Sequence, residues 1–485
     1  MGEHLEIELK FDADAAFVPP DLSDLAEVSD PQVHRLEAVY YDTASLALAA
    51  RKVTLRRRTG GPDEGWHLKL PAGPDAKREH RAPLSGSLPA ELAELVTAYT
   101  RGAELVPVAT LSTVRTVREV VSADGTAELA DDLVTGSIEG TPGTESWREI
   151  EIEVVTGEKD QLAPISARLL EAGASRAATS SKLGRLLAPR ITALPAWDGT
   201  AAGEAVVRYL AGQVADLLYW DPRVRREEYD AVHKMRVAVR RLRSVLKSAG
   251  PVVDRGVTDR LQPELSWLAD VLGEVRDAEV LHERFAARLD SLPQAPSVAP
   301  AWLDEIKARE SAGYDRIRAE LSGGRYFALL DALEALLESP PLTPRAKKPA
   351  VKELPRLLRR SWRRVERAHA AIADAPDAAA GDEAHHDTRK AAKRARYTAD
   401  ATREVLGDQA KAVSRAAKCL QEVLGRFQDG VIAQEALLAA TPATPADGFL
   451  LGTLYGLERA EVTTALAEVE AAWTAARAQA LPALA

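Results

Sequence analysis

The sequence predicts an α+β multidomain protein in which an N-terminal antiparallel β domain precedes an all-α domain with an internal duplication. Three observations predict it. A chain of 485 residues is longer than one core usually fills. Alternating apolar and polar segments dominate before residue 190, whereas long helical patterns rich in Ala, Leu, Arg and Glu follow residue 200. In the helical part, a motif of basic residues occurs twice.

The N-terminal domain, residues 1–190, is predicted to consist mainly of strands. Short segments of alternating character are separated by turns containing Gly, Pro and Asp, as in antiparallel sheets. Both a barrel and a sandwich fit so many strands. The predicted strands are Leu5–Phe11, Glu37–Tyr41, Thr54–Arg58, Gly65–Leu70, Thr113–Ser122, Thr126–Ala130, Gly136–Ile138 and Trp147–Val155.

A connection and a proline-rich seam divide the rest of the chain. The segment Pro189–Gly203, with two prolines and two glycines, is the predicted interdomain connection. The helical domain then covers residues 200–485 in two repeats, about 200–338 and 350–485. The seam between the repeats contains Pro340, Pro341, Pro344 and Pro349.

Each repeat contains an amphipathic helix with a cationic face. His233, Arg236, Arg240, Arg241 and Arg243 recur 153 positions later as His386, Arg389, Lys393, Arg394 and Arg396. At 100° per residue most of these side chains share one side of the helix. No Asp or Glu occurs at residues 233–253 or 388–399, so acidic partners one turn away are lacking. We expect something other than the protein's own carboxylates to neutralise these faces.

A second pair of matching segments supports the duplication. Leu268–Asp277 resembles Leu420–Asp429 at an offset of 152, nearly the offset of the basic helices. Two matches at almost the same offset indicate two copies of one helical unit. Each copy is the size of a helical bundle.

Charged residues in the β domain follow the strand period of two. Three carboxylates or a Glu-Glu-Lys set on one strand face are unfavourable unless opposite charges lie against them. The sets are Glu6, Glu8 and Lys10; Glu149, Glu151 and Glu153; Arg56 and Arg58; and His67 and Lys69. By patterning alone, two geometries stay open: a sheet with a wet, charge-paired outer face, or a barrel with the charges in its lumen. The second would suit a metal-bound polyanion.

These residues carry a resemblance to two known families. The sequence Glu6-Ile-Glu8-Leu-Lys10 resembles the ExExK signature of the CYTH, or triphosphate tunnel metalloenzyme, family. The other matching residues follow in the family's order: Tyr41-Asp42-Thr43, Arg56, Arg58, Lys69, Glu149–Glu153 and Ser181-Lys182. The duplicated basic motif resembles the CHAD domain, the conserved histidine α-helical domain. Together the two resemblances cover nearly the whole chain.

The first resemblance implies a closed eight-stranded tunnel that hydrolyses inorganic triphosphate with Mg²⁺ or Mn²⁺. The implied catalytic residues are Glu6, Glu8, Lys10 and Lys182. The implied substrate contacts are Lys10, Arg56, Arg58, Lys69, Arg81, Arg115, Arg118 and Lys182, with the register of the Arg115/Arg118 strand left open. The implied metal ligands are Glu6, Glu8, Asp132, Glu149, Glu151 and Glu153.

The second resemblance implies binding of inorganic polyphosphate. The implied contacts are His233, Lys234, Arg236, Arg240, Arg241, Arg243, His386, Arg389, Lys390, Lys393, Arg394 and Arg396. The physics agrees, because a track of cations that binds a polyphosphate chain releases the chain's counterions. Two alternatives stay open: a non-catalytic polyphosphate-binding protein with a degenerate tunnel, and a nucleoside triphosphatase or adenylate cyclase.

Composition excludes several other classes. One cysteine rules out an intramolecular disulfide framework, and the net charge of −10 argues against a dedicated nucleic-acid protein. Neither a signal segment nor an uncharged apolar run of about 18 residues is visible. No P-loop, Rossmann or zinc pattern occurs. We therefore expect no membrane partner, no specific nucleic-acid binding and a cytoplasmic location, with association with polyphosphate granules as a further expectation.

Overall fold

The structure is a computed structural model that describes residues 2–73, 75–191, 195, 197–293 and 299–484. The chain divides into two compact units, Met1–Ala193 and Leu194–Ala485. The first unit is built around a β-sheet and the second is helical, so the predicted α+β class is confirmed. Residues 192–194 and 196 of the predicted connection lie outside the described residues.

Eight antiparallel strands of the first unit close into a barrel, and two short strands, β2 (Glu27–Val28) and β10 (Ser175–Arg176), pair beside it. The barrel strands are β1 (Gly2–Ala13), β3 (Gln32–Asp42), β4 (Thr54–Thr59), β5 (Gly65–Gly73), β6 (Ala76–Ala82), β7 (Val106–Ser122), β8 (Gly125–Ile138) and β9 (Glu145–Gly157). The barrel order is β1-β6-β5-β4-β3-β7-β8-β9, and β9 pairs again with β1. Closure leaves no exposed sheet edge among these eight strands.

Two strand predictions are wrong. The segment Ala76–Ala82, β6, was not predicted because both of its faces are polar and the usual apolar alternation is missing. The segments predicted separately as Thr126–Ala130 and Gly136–Ile138 are one strand, β8. The pairing of Asp131 and Asp132 with β9 keeps this strand continuous through a stretch that resembles a turn in the sequence.

Along β1, β8 and β9 the apolar side chains face outward and pack against a short helix. The helices of this unit are α1 (Ala90–Leu95), α2 (Thr97–Thr100), α3 (Leu162–Glu171) and α4 (Lys182–Leu187). Leu9, Ile150 and Ile152 pack with Leu162 and Leu169 of α3. Burying such a side chain contributes about 1.5–3 kcal/mol. Because strand side chains alternate, the charged residues must point into the lumen.

The second unit consists of long helices. They are α5 (Ala202–Arg225), α6 (Ala231–Ser248), α7 (Arg255–Thr258), α8 (Leu261–Asp290), α9 (Ala301–Leu321), α10 (Gly324–Glu338), α11 (Ala350–Ala373), α12 (Ala378–Ala439) and α13 (Pro445–Leu484). Their cores are small apolar residues of α12 around Trp362 and an aromatic pair, Phe285 and Trp302. Within the described ranges, no helix has the length and apolar character needed to span a membrane.

Helix α12 is a hairpin of two helices that bends at Gly407. This glycine has φ of 51° and ψ of −121°, a conformation that interrupts a helix. Residues on either side of it meet, since Ser414 donates a hydrogen bond to Asp400 at 2.8 Å. The two arms of α12 therefore correspond to α6 and α8 of the first repeat.

Candidate functional site

The lumen of the barrel is a charged cavity of about 390 Å³. Most of the lining carboxylates come from β1, β8 and β9 and most of the cations from β4, β5, β6 and β7. The exceptions include Glu79 of β6, Lys10 of β1 and Lys182 of α4. The lining includes Glu6, Lys10, Arg56, Arg58, Lys69, Lys77, Glu79, Arg81, Arg115, Glu128, Glu151, Glu153 and Lys182. Of the two geometries left open by patterning, the structure has the one with the charges inside.

Glu151 lies at the centre of the charge network. Its carboxylate forms ion pairs with Lys10, Arg115 and Lys182. Burial raises the pKa of Glu151, but these three cations outweigh burial and hold its pKa well below the usual range. Glu151 is therefore ionised at neutral pH.

Lys182 lies among three buried carboxylates. Its Nζ atom is 2.8 Å from Asp132, 2.7 Å from Glu149 and 2.7 Å from Glu151. Oxygen atoms of these three acids lie within 4.8 Å of one another, the spacing of a metal-ligand group. Burial lowers the pKa of Lys182, and the acids more than reverse this, so its pKa is raised. The ammonium group serves as the counterion of this cluster.

Carboxylates at the β1 side of the lumen also have cation partners: Lys69 for Glu6, and Lys10 and Lys77 for Glu8. Glu6 is 5% exposed, and its Oε2 atom has no hydrogen-bond partner among the described residues. Burial and the neighbouring Glu6 and Glu8 raise the pKa of Glu153 to about 8. The free Oε2 atom of Glu6 is a position that can accept an added cation. Among the described residues, the Lys182 cluster of Asp132, Glu149 and Glu151 has the spacing of a metal site, and its carboxylate oxygens suit Mg²⁺ or Mn²⁺.

The opposite wall holds cations in a buried setting. Arg56 donates a hydrogen bond to the Tyr40 hydroxyl at 3.3 Å. Burial lowers the pKa of Arg58, and the nearby Arg56 and Arg115 lower it further. His67 shares a 2.9 Å hydrogen bond with Glu79, and burial lowers the pKa of His67 to about 4. Arg58 pairs with Asp63 and Arg81 pairs with Glu79, so an anionic ligand would replace these carboxylates as the partner of the arginines.

The register of β7 decides between the two rival arginines. Arg115 pairs with Asp132 across the strands and donates to its carboxylate from Nε at 2.8 Å, inside the lumen. Arg118 pairs with Leu129, which belongs to the outer apolar core. The inclusion of Arg118 among the substrate contacts is therefore wrong, because a three-residue step reverses the face of a strand.

Sequence reasoning missed Lys77. Its Nζ atom lies 2.8 Å from Glu8 and donates to the Ser180 carbonyl at 2.6 Å. The charge alternation of Lys77, Glu79 and Arg81 was itself a period-two signal, and all three residues line the lumen. The predicted set otherwise gathers on the lumen side.

In the helical unit, the basic helices meet carboxylates from distant segments. Arg236 pairs with Asp277 at 2.8 Å, and Arg389 pairs with Asp429 at 3.2 Å. These acids end the second repeated segment, so the two pairs are equivalent. The expectation that no carboxylate of the protein neutralises the cationic faces is wrong for these two arginines, since helix packing supplies partners that local spacing does not show.

Most other cations of the two motifs lie where α6 crosses α12. A pocket of about 330 Å³ is lined there by Arg240, Arg243, Ser244, Lys247, Gln262, Lys390, Lys393, Arg394 and Tyr397. Burial and the neighbouring Arg389 and Arg240 lower the pKa of Lys393 to about 7. We call this pocket the basic cleft. It contains six cations and no lining carboxylate among the described residues.

The remaining motif residues lie nearby on the same helices. Arg241 and Arg396 line a separate pocket beside α5. His386 hydrogen-bonds to Gln428 at 2.8 Å, whereas burial and Arg276 lower the pKa of His233. Two lysines of the predicted set have local partners: Lys234 with Asp230 at 3.3 Å, and Lys390 with Asp387 at 3.2 Å.

Comparison with known families agrees with this architecture. Residues 4–184 match the CYTH domain, and residues 208–438 match the CHAD domain. The chain belongs to the family of proteins that carry a CYTH domain followed by a CHAD domain.

A relative and two solved structures are similar to this chain. An uncharacterised protein of Mycobacterium tuberculosis is 41% identical over 94% of this chain and 93% of its own length. PptA from Streptomyces chartreusis is 23% identical, with a TM-score of 0.46, over 56% of this chain and 99% of its own. The CHAD domain from the plant Ricinus communis is 25% identical, with a TM-score of 0.48, over 59% and 95%.

Proposed function

We propose that the barrel hydrolyses inorganic triphosphate and that the helical unit binds inorganic polyphosphate. The observation that carries the first part is the lumen, where cations, mostly on one wall, face carboxylates, mostly on the other. A linear triphosphate needs cations along its length and a divalent ion to neutralise the rest of its charge. The lumen supplies both the cations and oxygen ligands for the ion.

The lining favours a substrate without a nucleobase. Among the described lining residues, Tyr40 contributes the only phenyl-type ring, and its hydroxyl is held by Arg56. The apolar part of the described lining is otherwise aliphatic, from residues such as Leu36, Leu111 and Val117, and offers no aromatic face on which a base could stack. We therefore propose that tripolyphosphate is a better substrate than ATP.

Each wall has a separate role in the proposed reaction. Arg56, Arg58 and Arg115 donate hydrogen bonds to phosphate oxygens, since a guanidinium can contact two oxygens at once. Lys10 and Lys182, already held by Glu151, stabilise the charge that develops as the bridging bond breaks. Glu6 offers its free Oε2 atom to a cation or to the proton of the attacking water.

A divalent cation would be held by carboxylates from two groups. Asp132, Glu149 and Glu151, whose oxygens have the spacing of a metal site, form the first group. Glu6, Glu8 and Glu153, which are close enough to affect one another's charge, form the second. When bound, the ion would supply neutralisation of the phosphate charge in the transition state. The protein's own cations would then hold the substrate in line while the barrel limits access of bulk water.

Orthophosphate release from tripolyphosphate, measured beside ATP with Mg²⁺ or Mn²⁺, tests the enzymatic part. We expect tripolyphosphate to be turned over faster. Faster release from ATP would favour the nucleotide alternative. The absence of turnover with any triphosphate, in a protein that binds Mn²⁺ by electron paramagnetic resonance, would favour the degenerate tunnel.

Polyphosphate binding is supported by the basic cleft. Its six cations lie together, and the described lining contains no acid that would neutralise them. Burial lowers the pKa of Lys393, and the nearby Arg389 and Arg240 lower it further. A chain with about one charge per phosphate would neutralise this cleft and release its own counterions. Affinity for polyphosphate across a salt series tests this part, with duplex DNA as the comparison ligand. Equal affinities for both would indicate a generic polyanion binder.

A further inference from the structure

The two repeats do not present equal charges to the basic cleft. Pseudo-symmetry relates the basic cleft to the pocket beside α5, because Gln262 lines the first and Ser414, 152 positions later, lines the second. The pocket beside α5 is lined by Tyr209, Arg241, Arg396, Asp400, Arg403, Ser414, Arg415 and Lys418. We call it the α5 flank. A perfect duplication would make both pockets equally basic.

One departure from symmetry lies within the repeated motif. Lys247 and Asp400 occupy the same position, each 14 residues after its motif histidine (247 − 233 and 400 − 386). Lys247 lines the basic cleft, whereas Asp400 lines the α5 flank and accepts a hydrogen bond from Ser414. This one exchange removes a positive charge from the α5 flank and adds a negative one.

A second departure from symmetry also makes the α5 flank less positive than the basic cleft. Helices α5 and α11 are both 24 residues long and begin after Ala201 and Pro349, which pair with each other. Asp216 and Arg364 are equivalent, each 14 residues after the first residue of its helix (216 − 202 and 364 − 350). Burial raises the pKa of Asp216 and Arg241 lowers it, so this acid faces the cation of the α5 flank.

The basic cleft continues into a further pocket on α11. This pocket of about 280 Å³ shares Lys247 with the cleft and is lined by Lys247, Ser248, Gly250, Pro251, Arg255, Arg345, Leu357, Arg360, Ser361 and Arg364. Arg394 and Arg364 are among the cations that lower the pKa of Lys247. Two of the arginines have local partners, Asp259 for Arg255 and Glu353 for Arg345. The charges of Lys247, Arg360 and Arg364 are left for a ligand.

We infer that a second anion-binding subsite, formed by Lys247, Arg360 and Arg364, extends the basic cleft onto α11, so that a long polyphosphate chain leaves the cleft on this side only. The inference rests on the proposed polyphosphate binding. None of these three residues belongs to the duplicated set that the sequence singled out. A chain long enough to reach α11 gains these contacts, whereas a short chain is held by the cleft alone.

Charge removal on the two flanks of the full-length protein tests the inference. The variant R360Q/R364Q removes two charges on the α11 side, and R403Q/R415Q removes two from the α5 flank. The probes are inorganic polyphosphates of about 10 and about 100 phosphates. We expect R360Q/R364Q to weaken binding of the long chain about ten-fold and to reduce its salt slope by about 1.4, or 0.7 per charge. The affinity of R360Q/R364Q for the short chain should change less than about two-fold. The affinities of the control R403Q/R415Q for the short and the long chain should also change less than about two-fold.

A charge exchange provides a second measurement without changing net charge. In K247D/D400K the positive charge moves to the α5 flank, and R403Q/R415Q on that background should then weaken long-chain binding. Arg360 is exposed and Arg364 half-buried, so neither glutamine substitution removes core packing. Equal losses from both flanks in the native background, or no loss from R360Q/R364Q, would overturn the subsite. A wild-type protein that binds neither chain would instead overturn the proposed function.

Discussion

Lys182, buried in the barrel, and Lys393, half-buried in the helical unit, are cations with opposite pKa shifts. Three carboxylates contact Lys182, and its pKa is raised above the usual value. Lys393 faces Arg389 and Arg240, and its pKa falls to about 7. Burial disfavours the charge at both positions, so the neighbours decide the outcome.

The difference indicates two ways of preparing a site for a polyanion. The lumen is built with its own counterions, and a ligand must exchange ion pairs that already exist. The basic cleft has few internal counterions, so its cations repel one another until a ligand arrives. We expect the lumen to be selective for one size and charge and the cleft to accept chains of many lengths.

The largest effect is expected from a lumen carboxylate. Replacing Glu6 or Glu8 by Gln removes a charge with little change in volume and should lower tripolyphosphate turnover by at least about 100-fold. Polyphosphate affinity should not change, because the cleft belongs to the other unit. Glu37→Gln is the matched control, since Glu37 is exposed on the outer face of β3. Near-normal turnover in both Glu6→Gln and Glu8→Gln would remove these residues from the site.

The second-largest effect is expected from the basic cleft, where substitutions should weaken polyphosphate binding and leave turnover nearly unchanged. Replacing Arg240, Arg243, Lys393 and Arg394 together by Gln should weaken long-chain polyphosphate binding about 10- to 100-fold and flatten its salt dependence. Turnover of tripolyphosphate should stay within about two-fold. If affinity and salt slope equal those of the wild type, the cations are a solvated surface and the comparison between the two regions fails.

Arginine geometry in the lumen should have a smaller effect. Arg56→Lys keeps the charge but loses the planar pair of donors, so turnover should fall about ten-fold. Arg115→Gln should have at least this effect, while Arg118→Gln, on the outer face, should leave kinetics unchanged. Wild-type kinetics in Arg115→Gln together with a loss in Arg118→Gln would mean that the register of β7 is reversed.

The smallest effect is a pH dependence. The Lys393 ammonium is charged below its pKa of about 7 and neutral above it, so raising the pH from about 6 to about 8 should weaken polyphosphate binding about two- to five-fold. Arginine stays charged over this range, and Lys393→Arg should flatten the profile. The ligand titrates equally in both experiments, so the comparison isolates Lys393. Identical profiles would show that Lys393 does not contact the chain.

Local patterns in the sequence predicted much of this protein. The period of two in Glu6, Glu8 and Lys10 predicted a strand with a charged face, and the recurrence of His233 as His386 predicted two equivalent helices. The resemblance carried by the same residues predicted the tunnel and its position in the chain. These features depend on residues within one element, where backbone geometry sets the spacing.

Only the tertiary structure decided which charges meet. Nothing local distinguished Arg115 from Arg118, because strand pairing with Asp132 and Leu129 sets which side of β7 faces the lumen. The partner of Arg236, Asp277, is 41 residues away and reaches it through helix packing. The same is true of Arg364, which lies beside Lys247 because α11 packs there. Long-range contacts arise from closure of the sheet and packing of helices, and the period of a single element does not encode them.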